Sequence, residues 1–182
     1  MQHTEIKTRT DNSSRNFVVM DYDTKWVKTF LKEKEVLEKI YTNALSIEHI
    51  GSTSVIGMAG KPLIDILIIV ENLLEVSKNI DQMIDSNFVH YGNLLNKDGE
   101  LFVKEVNGEK LVNVHIYHKD NPHVEEMLLV RNYLQNHTEE VKNYSNLKKE
   151  LKQKYSDNYP MYRKLKNEYM EKLKERAGKW IF

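Results

Sequence analysis

Residues 63–70 read Leu-Ile-Asp-Ile-Leu-Ile-Ile-Val, and this run constrains the fold more than any other part of the chain. Seven apolar positions interrupted only by Asp65 are too short for a membrane span, which needs about 20. A continuous run of this kind predicts a strand covered on both faces, and therefore a sheet with packing layers on each side. Asp65 is the exception within it. An unpaired carboxylate in such a strand is expensive to bury, so that position demands a partner, water or a metal ion.

The residues before the run sharpen the point. Residues 45–50 read as a short strand that ends in Gly51-Ser52-Thr53-Ser54. A glycine directly before serine at a strand end lets the backbone turn tightly and approach a phosphate closely. The hydroxyls of Ser52 and Thr53 and the neighbouring backbone N–H groups are then donors to it. Lys61, in the loop before Asp65, is a further phosphate candidate. A P-loop would need Gly at 55 and Ser or Thr at 62, where the chain has Val55 and Pro62, and no Gly-x-Gly-x-x-Gly occurs.

The rest of the chain predicts an α+β domain. Trp26, Val27, Phe30, Leu31, Leu37, Ile40 and Tyr41 recur at helical spacing after Asp23 and Thr24, which predicts a capped helix to about residue 42 with these residues on the core. A helix is expected around 73–86. Strands follow at 88–91, 100–106 and 111–117, separated by turn signals at Asn96 to Asp98 and Asn107-Gly108, which suggests an antiparallel meander. Helical periodicity then fills the C-terminal third, from Asn121-Pro122 to 134, 139–155 and 159–177. Residues 1–17 are expected to be a polar tail and 18–182 a single domain. At 182 residues such a domain buries roughly two-thirds of the surface its unfolded chain exposes.

Composition narrows the function classes. The chain has no cysteine, which excludes disulfides, thiolate nucleophiles and cysteine-based zinc sites. With a polar N-terminus and no long apolar run, a cytoplasmic location without membrane partners is expected. Lys and Arg balance Asp and Glu at 27 each, so no overall field favours nucleic acid. The charge is unevenly spread, however. Residues 141–182 hold twelve Lys or Arg against five Asp or Glu, a basic segment able to contact phosphates once folded against an acidic-leaning body.

His49 and His115 fall on predicted strands, and either is a candidate general base. His115 and His118 lie three apart, so on a continuing strand they point to opposite faces and cannot chelate one ion.

Longer words point further. They are Tyr22-Asp23-x-x-Trp26, Glu48 through Val55, Gly57 through Ile66, His115, Arg131-x-Tyr133-Leu134 and Tyr144-x-x-Leu147-Lys148-x-Glu150-Leu151. In that order they resemble the GrpB family, over about residues 18–170. The resemblance implies the nucleotidyltransferase superfamily through its Gly-Ser and Asp-x-Asp/Glu core: a mixed or antiparallel sheet with helices packed on it. It implies transfer of a nucleotidyl group from an NTP to a small acceptor. Asp65 and His115 would be catalytic, with Asp65 on Mg²⁺, and Gly51, Ser52, Thr53, Lys61, Arg131, Lys148, Tyr162 and Lys166 would bind the phosphates or substrate. Occasional fusion of family members to dephospho-CoA kinase links it to CoA metabolism. One departure stands out: the second carboxylate position is Leu67, and the strand at 111–117 offers only Asn113 and His115 on one face. A two-metal centre normally shares several carboxylate oxygens. The alternative reading is therefore a noncatalytic nucleotide- or phosphate-binding module.

Overall fold

A computed structural model describes residues 17–93 and 98–180. Helix α1 (Lys25–Ile40) leads into strand β1 (Ser46–Ile50), a single 3₁₀ turn at Ser52–Ser54, and β2 (Ile64–Val70). Then come α2 (Leu74–Asp85), β3 (Phe88–Gly92), β4 (Gly99–Val106) and β5 (Glu109–His118). Helices α3 (Pro122–Asn136), α4 (Thr138–Lys154) and α5 (Tyr159–Gly178) complete the chain. The sheet runs β1-β2-β5-β4-β3. Only the central β2–β5 pair is parallel, and the other neighbours are antiparallel, so the α+β expectation with a mixed sheet and a helical final third holds.

The two-sided burial predicted for β2 is realised, and it sets the layers. Ile64, Ile66, Ile68 and Val70 join Val112, Val114 and Ile116 against α1 and α2. On the other face Leu67 and Ile69 pack with Ile50, Tyr117 and Val124 beneath α3. Tyr133, Leu134, Val141, Tyr144, Leu173 and Ala177 tie α3, α4 and α5 together, with Val55 and Met58 of the loop before β2 inserted among them. Side chains alternate along a strand, so Asp65 falls on the α3 side, one step beyond that apolar patch.

Helix starts follow local chemistry. Asp23 accepts from the Lys25 N–H at 2.8 Å. Asn121 caps α3 through the His123 N–H at 2.9 Å, ahead of Pro122, and Asn158 caps α5 through Met161 at 3.1 Å. These are the side chains that satisfy orphan N–H groups at helix starts.

Two expectations about the core are corrected. Val27 and Leu31 of α1 are 39% and 51% exposed, because an arc spanning both of them and Trp26 is wider than the stripe that one sheet face covers. Phe17, assigned to the polar tail, is 5% exposed and packs against Leu151 and Tyr162; an aromatic ring there repays ordering of the backbone. The rest of the tail expectation, residues 1–16, lies outside the described residues, as do Asn96 and Lys97 of the turn signal.

Candidate functional site

Where Asp65 interrupts the apolar layer, a cleft of about 410 Å³ opens between the sheet and helices α3 to α5. Its floor begins at Gly51, whose φ of +72° belongs to glycine. A β-carbon there would sit 2.7 Å from Asp65 Oδ2, so the glycine also makes room for the carboxylate. Ser52 follows at the start of the 3₁₀ turn. Gly60 packs against it so closely that a β-carbon would lie 2.9 Å from Ser52 Cβ. These two glycines hold the serine hydroxyl at the cleft wall.

Strand pairing brings the next groups. Asp65 is opposite Asn113 in the parallel β2–β5 register, and Asn113 Nδ2 donates to Asp65 Oδ1 at 2.7 Å. His115, two residues on and on the same face, places Nε2 3.8 Å from that oxygen. Burial pushes the Asp65 pKa up, but the facing His115 imidazole, Asn113 and Lys61 outweigh it and hold the carboxyl below its ordinary value. Asp65 is therefore ionised at neutral pH.

The opposite wall is cationic. Lys148 of α4 is 2% exposed, donates from Nζ to Ser52 Oγ at 2.9 Å, and sits 4.4 Å from the centre of the Tyr144 ring. Burial, with the neighbouring Lys166 adding to it, pushes its pKa down to about 7. Tyr159, Tyr162, Arg163, Lys166 and Met170 of α5 recur at steps of three and four and so share the cleft face of that helix. The Lys166 pKa is also lowered, first by burial and then by Lys61. Lys61 donates to the Tyr159 hydroxyl at 3.0 Å. Neither Lys148 nor Lys166 has an ion-pair partner among the described residues, whereas Lys174 at the rim pairs with Glu126 at 2.9 Å.

The cleft thus gathers Gly51, Ser52, Lys61, Asp65, His115, Arg131, Lys148, Tyr162 and Lys166. Thr53 is not on its surface. It is 1% exposed, and its hydroxyl is engaged with His49 Nε2 at 3.0 Å and the Leu63 carbonyl at 3.5 Å, because the 3₁₀ turn points successive side chains about a third of a turn apart. His49 faces α1 instead of the cleft and stacks on Phe30 at 4.5 Å. Burial pushes its pKa down to about 4 despite Asp65, so it is neutral and structural. Arg131 lines the cleft, but its guanidinium bonds Glu48 at 2.8 Å and the His49 carbonyl at 3.1 Å, fastening α3 to β1. Tyr169 stacks on Tyr144 at 5.0 Å and donates to Glu140. Sequence reading missed Arg163 and Tyr159; the three-and-four spacing from Lys166 was the available signal.

The donor set bears on the magnesium expectation. Among the described residues no three His, Asp or Glu side chains are grouped closely enough to hold a metal ion. Leu67, at the second carboxylate position, is fully buried beneath α3, and Asp65 is already shared by Asn113 and His115. The residues present do not fit a pair of protein-held Mg²⁺ ions.

Comparison with known proteins agrees on one family. The family profile described as GrpB protein matches residues 16–176. The UPF0157 protein YqkA of Bacillus subtilis is 34% identical over 167 residues, which cover 91% of this chain and 48% of YqkA; the chain spans about half the length of that relative. The glutamate-rich protein GrpB of Alkalihalophilus pseudofirmus is 30% identical, with 86% of this chain and 92% of that one covered. The crystal structure of conserved protein GrpB from Enterococcus faecalis superposes with a TM-score of 0.83 at 31% identity, covering 88% of this chain and 96% of that chain. Among the described residues, no helix is long and apolar enough to cross a membrane.

Proposed function

The chain belongs to the GrpB family, and from that premise we propose that its cleft binds a phosphorylated small molecule, a nucleotide first among them, through the phosphates. One observation carries this reading: Lys148, a buried amine without a carboxylate, is held on Ser52 in a cleft that also receives Lys61, Arg163 and Lys166. Buried cations are costly unless a counter-charge meets them. A polyanion supplies that charge, and several partly desolvated cations hold it where a single exposed lysine, screened by salt, would not.

Chemically, Ser52 offers a hydroxyl at a tight glycine turn, Lys148 donates to it from α4, and Lys166 lines the same cleft from α5. The aromatic rings of Tyr159 and Tyr162 and the aliphatic Ile50, Val130 and Leu134 give the same cleft an apolar part, which suits a ligand whose phosphates are attached to a flat or apolar body.

A second reading is nucleotidyl transfer from an NTP to a small acceptor, with one Mg²⁺ shared between Asp65 and the ligand's own phosphates. What favours it is the ionised Asp65 beside the Ser52 turn, with His115 as a candidate base at 3.8 Å.

A thermal-shift screen of nucleotides, CoA-related compounds and pyrophosphate, with and without Mg²⁺, separates the two, since a ligand of the folded state raises apparent stability by mass action. Binding equal in both conditions supports the module. Binding that requires Mg²⁺, joined by transfer of labelled nucleotide to an acceptor, supports the enzyme. No stabilisation by any phosphorylated compound at millimolar concentration sinks both.

A further inference from the structure

Ser52 and Lys148 are 96 positions apart in sequence and 2.9 Å apart in space. The amine has two neighbours, a hydroxyl and the face of the Tyr144 ring, and neither is ionised. From α5 it is faced by Tyr162, Arg163 and Lys166, with Tyr159 near the mouth, and Lys61 approaches from the loop before β2. The sheet contributes Asp65 and His115, and α3 contributes Arg131. Arg131 is bound to Glu48, and the Asp65 carboxylate is bound by Asn113 and faced by His115. Cations therefore surround an amine that has no anion of its own.

We propose that Ser52 and Lys148 form a subsite for a dianionic tetrahedral group, phosphate or sulfate, and that the bound anion, as the missing counter-charge, tightens the amine's hold on its proton. The proposal rests on the phosphate-binding reading above and deepens it: the affinity of the site for the anion is linked to pH. The direction follows from the surroundings. Burial first, then Lys166, lower the amine's hold on its proton to a pKa of about 7 from the ordinary 10.5. A dianion in contact provides the missing counter-charge and restores that hold. In balanced form, the neutral amine accepts one proton from solvent, and the ammonium and the Ser52 hydroxyl then donate to two oxygens of the anion.

Sulfate is the probe, because it stays dianionic from pH 5 to 10 and contributes no protons itself. Isothermal titration of the whole chain in two buffers of different ionisation enthalpy should show proton uptake on sulfate binding that is clearly larger at pH 8 than at pH 6, from the free-state value near 7. Affinity should be flat below pH 7 and fall about tenfold per pH unit above it. Lys148→Arg, permanently charged, should still bind and lose both effects. The unsubstituted protein gives a check that needs no variant: in carbon-13 spectra of the lysine ε-methylenes, one lysine should titrate near 7 and move upward by more than one pH unit with saturating sulfate. Sulfate binding without proton uptake at pH 8, uptake that persists in Lys148→Arg, or lysines that all titrate above 9 in the free protein would each overturn the subsite. No sulfate binding at tens of millimolar, at any pH, overturns the phosphate reading as well.

Discussion

Two lysines on opposite sides of the same sheet, Lys104 half-buried and Lys148 buried, are built alike and partnered differently. Lys104 of β4 lies 4.4 Å from the Phe88 ring centre and donates to Glu33 of α1 at 2.6 Å; both side chains are largely buried, at 17% and 10% exposure. Lys148 lies at the same 4.4 Å from the Tyr144 ring but donates to a serine. The aromatic face contributes similarly in the two places, so the counter-charge makes the difference. On the α1 side the protein completes its own ion pair and joins helix to sheet. On the α3–α5 side it places a buried amine against a hydroxyl, in a cleft that other lysines and arginines also line, with no carboxylate paired to it among the described residues. Buried charge closed on itself belongs to the scaffold, and buried charge opening onto a cavity belongs to the site.

The sharpest way to break this comparison is to remove a partner on each side. Glu33→Gln strands Lys104 and should cost about 3 kcal/mol in urea unfolding, in the range for breaking a buried pair by one member. A loss under about 1 kcal/mol would mean that water already shares that pair.

Lys148→Met should do the reverse. Stability is unchanged or raised, because an apolar stem replaces an uncompensated amine, while affinity for pyrophosphate or nucleotide falls by about tenfold to a hundredfold, the size expected for a lost charged hydrogen bond. The pH dependence has a definite sign. The folded-state pKa of Lys148 is lowered to about 7 from 10.5, so the unfolded chain holds more protons between those values and the parent gains stability as pH rises through them. The stability advantage of Lys148→Met should therefore be largest at or below pH 7 and shrink toward pH 10. An advantage that does not change with pH would contradict the buried neutral amine.

Asp65→Asn tests the remaining carboxylate. With the negative charge gone and the shape kept, Mg²⁺-independent affinity for pyrophosphate should rise severalfold, by titration calorimetry. Loss of Mg²⁺-dependent nucleotide binding instead would favour the transfer reading. The depressed Asp65 pKa also contributes stability that is present above its ordinary value of 3.8 and lost as pH falls through the folded value, so parent and Asp65→Asn should converge in stability at strongly acid pH.

The smallest effects separate Lys166 from Arg131. Lys166→Ala should weaken phosphate binding a few-fold and flatten its salt dependence, as expected for a partly solvated cation. Arg131→Ala should act mainly on melting temperature, because its guanidinium holds β1. Equal losses of affinity in both variants would return Arg131 to the ligand's side.

Much of the architecture was legible because it is periodic. All helices and strands expected from residue 23 onward form, with ends within two or three residues, since their apolar repeats match the faces that the layers cover. The strand carrying Asp65 and the Gly51-Ser52 turn were readable for the same local reason: a β-branched run has few alternatives, and glycine before serine at a strand end marks a tight approach. Less was legible at the site. Ser52 and Thr53 are adjacent and chemically equivalent in the sequence, yet one hydroxyl faces the cleft and the other is spent on His49 and Leu63. Arg131 and Lys148 both belong to helical words of the same family, yet one is tied to Glu48 and the other is turned inward against Ser52.

By itself, then, the sequence determined which segments become strands and helices, where the doubly covered strand lies, and which short loop turns tightly on a glycine. These follow from backbone preferences and from side-chain repeats within about ten residues, and they do not depend on what lies across the core. Tertiary structure alone decided that a lysine at 148 meets a serine at 52 without a carboxylate between them, and that Lys104 meets Glu33 across 71 positions. A cation's role is set by the charge and solvent around it in the folded state. Those depend on the packing angle and register of elements that are remote along the chain, which no local repeat encodes.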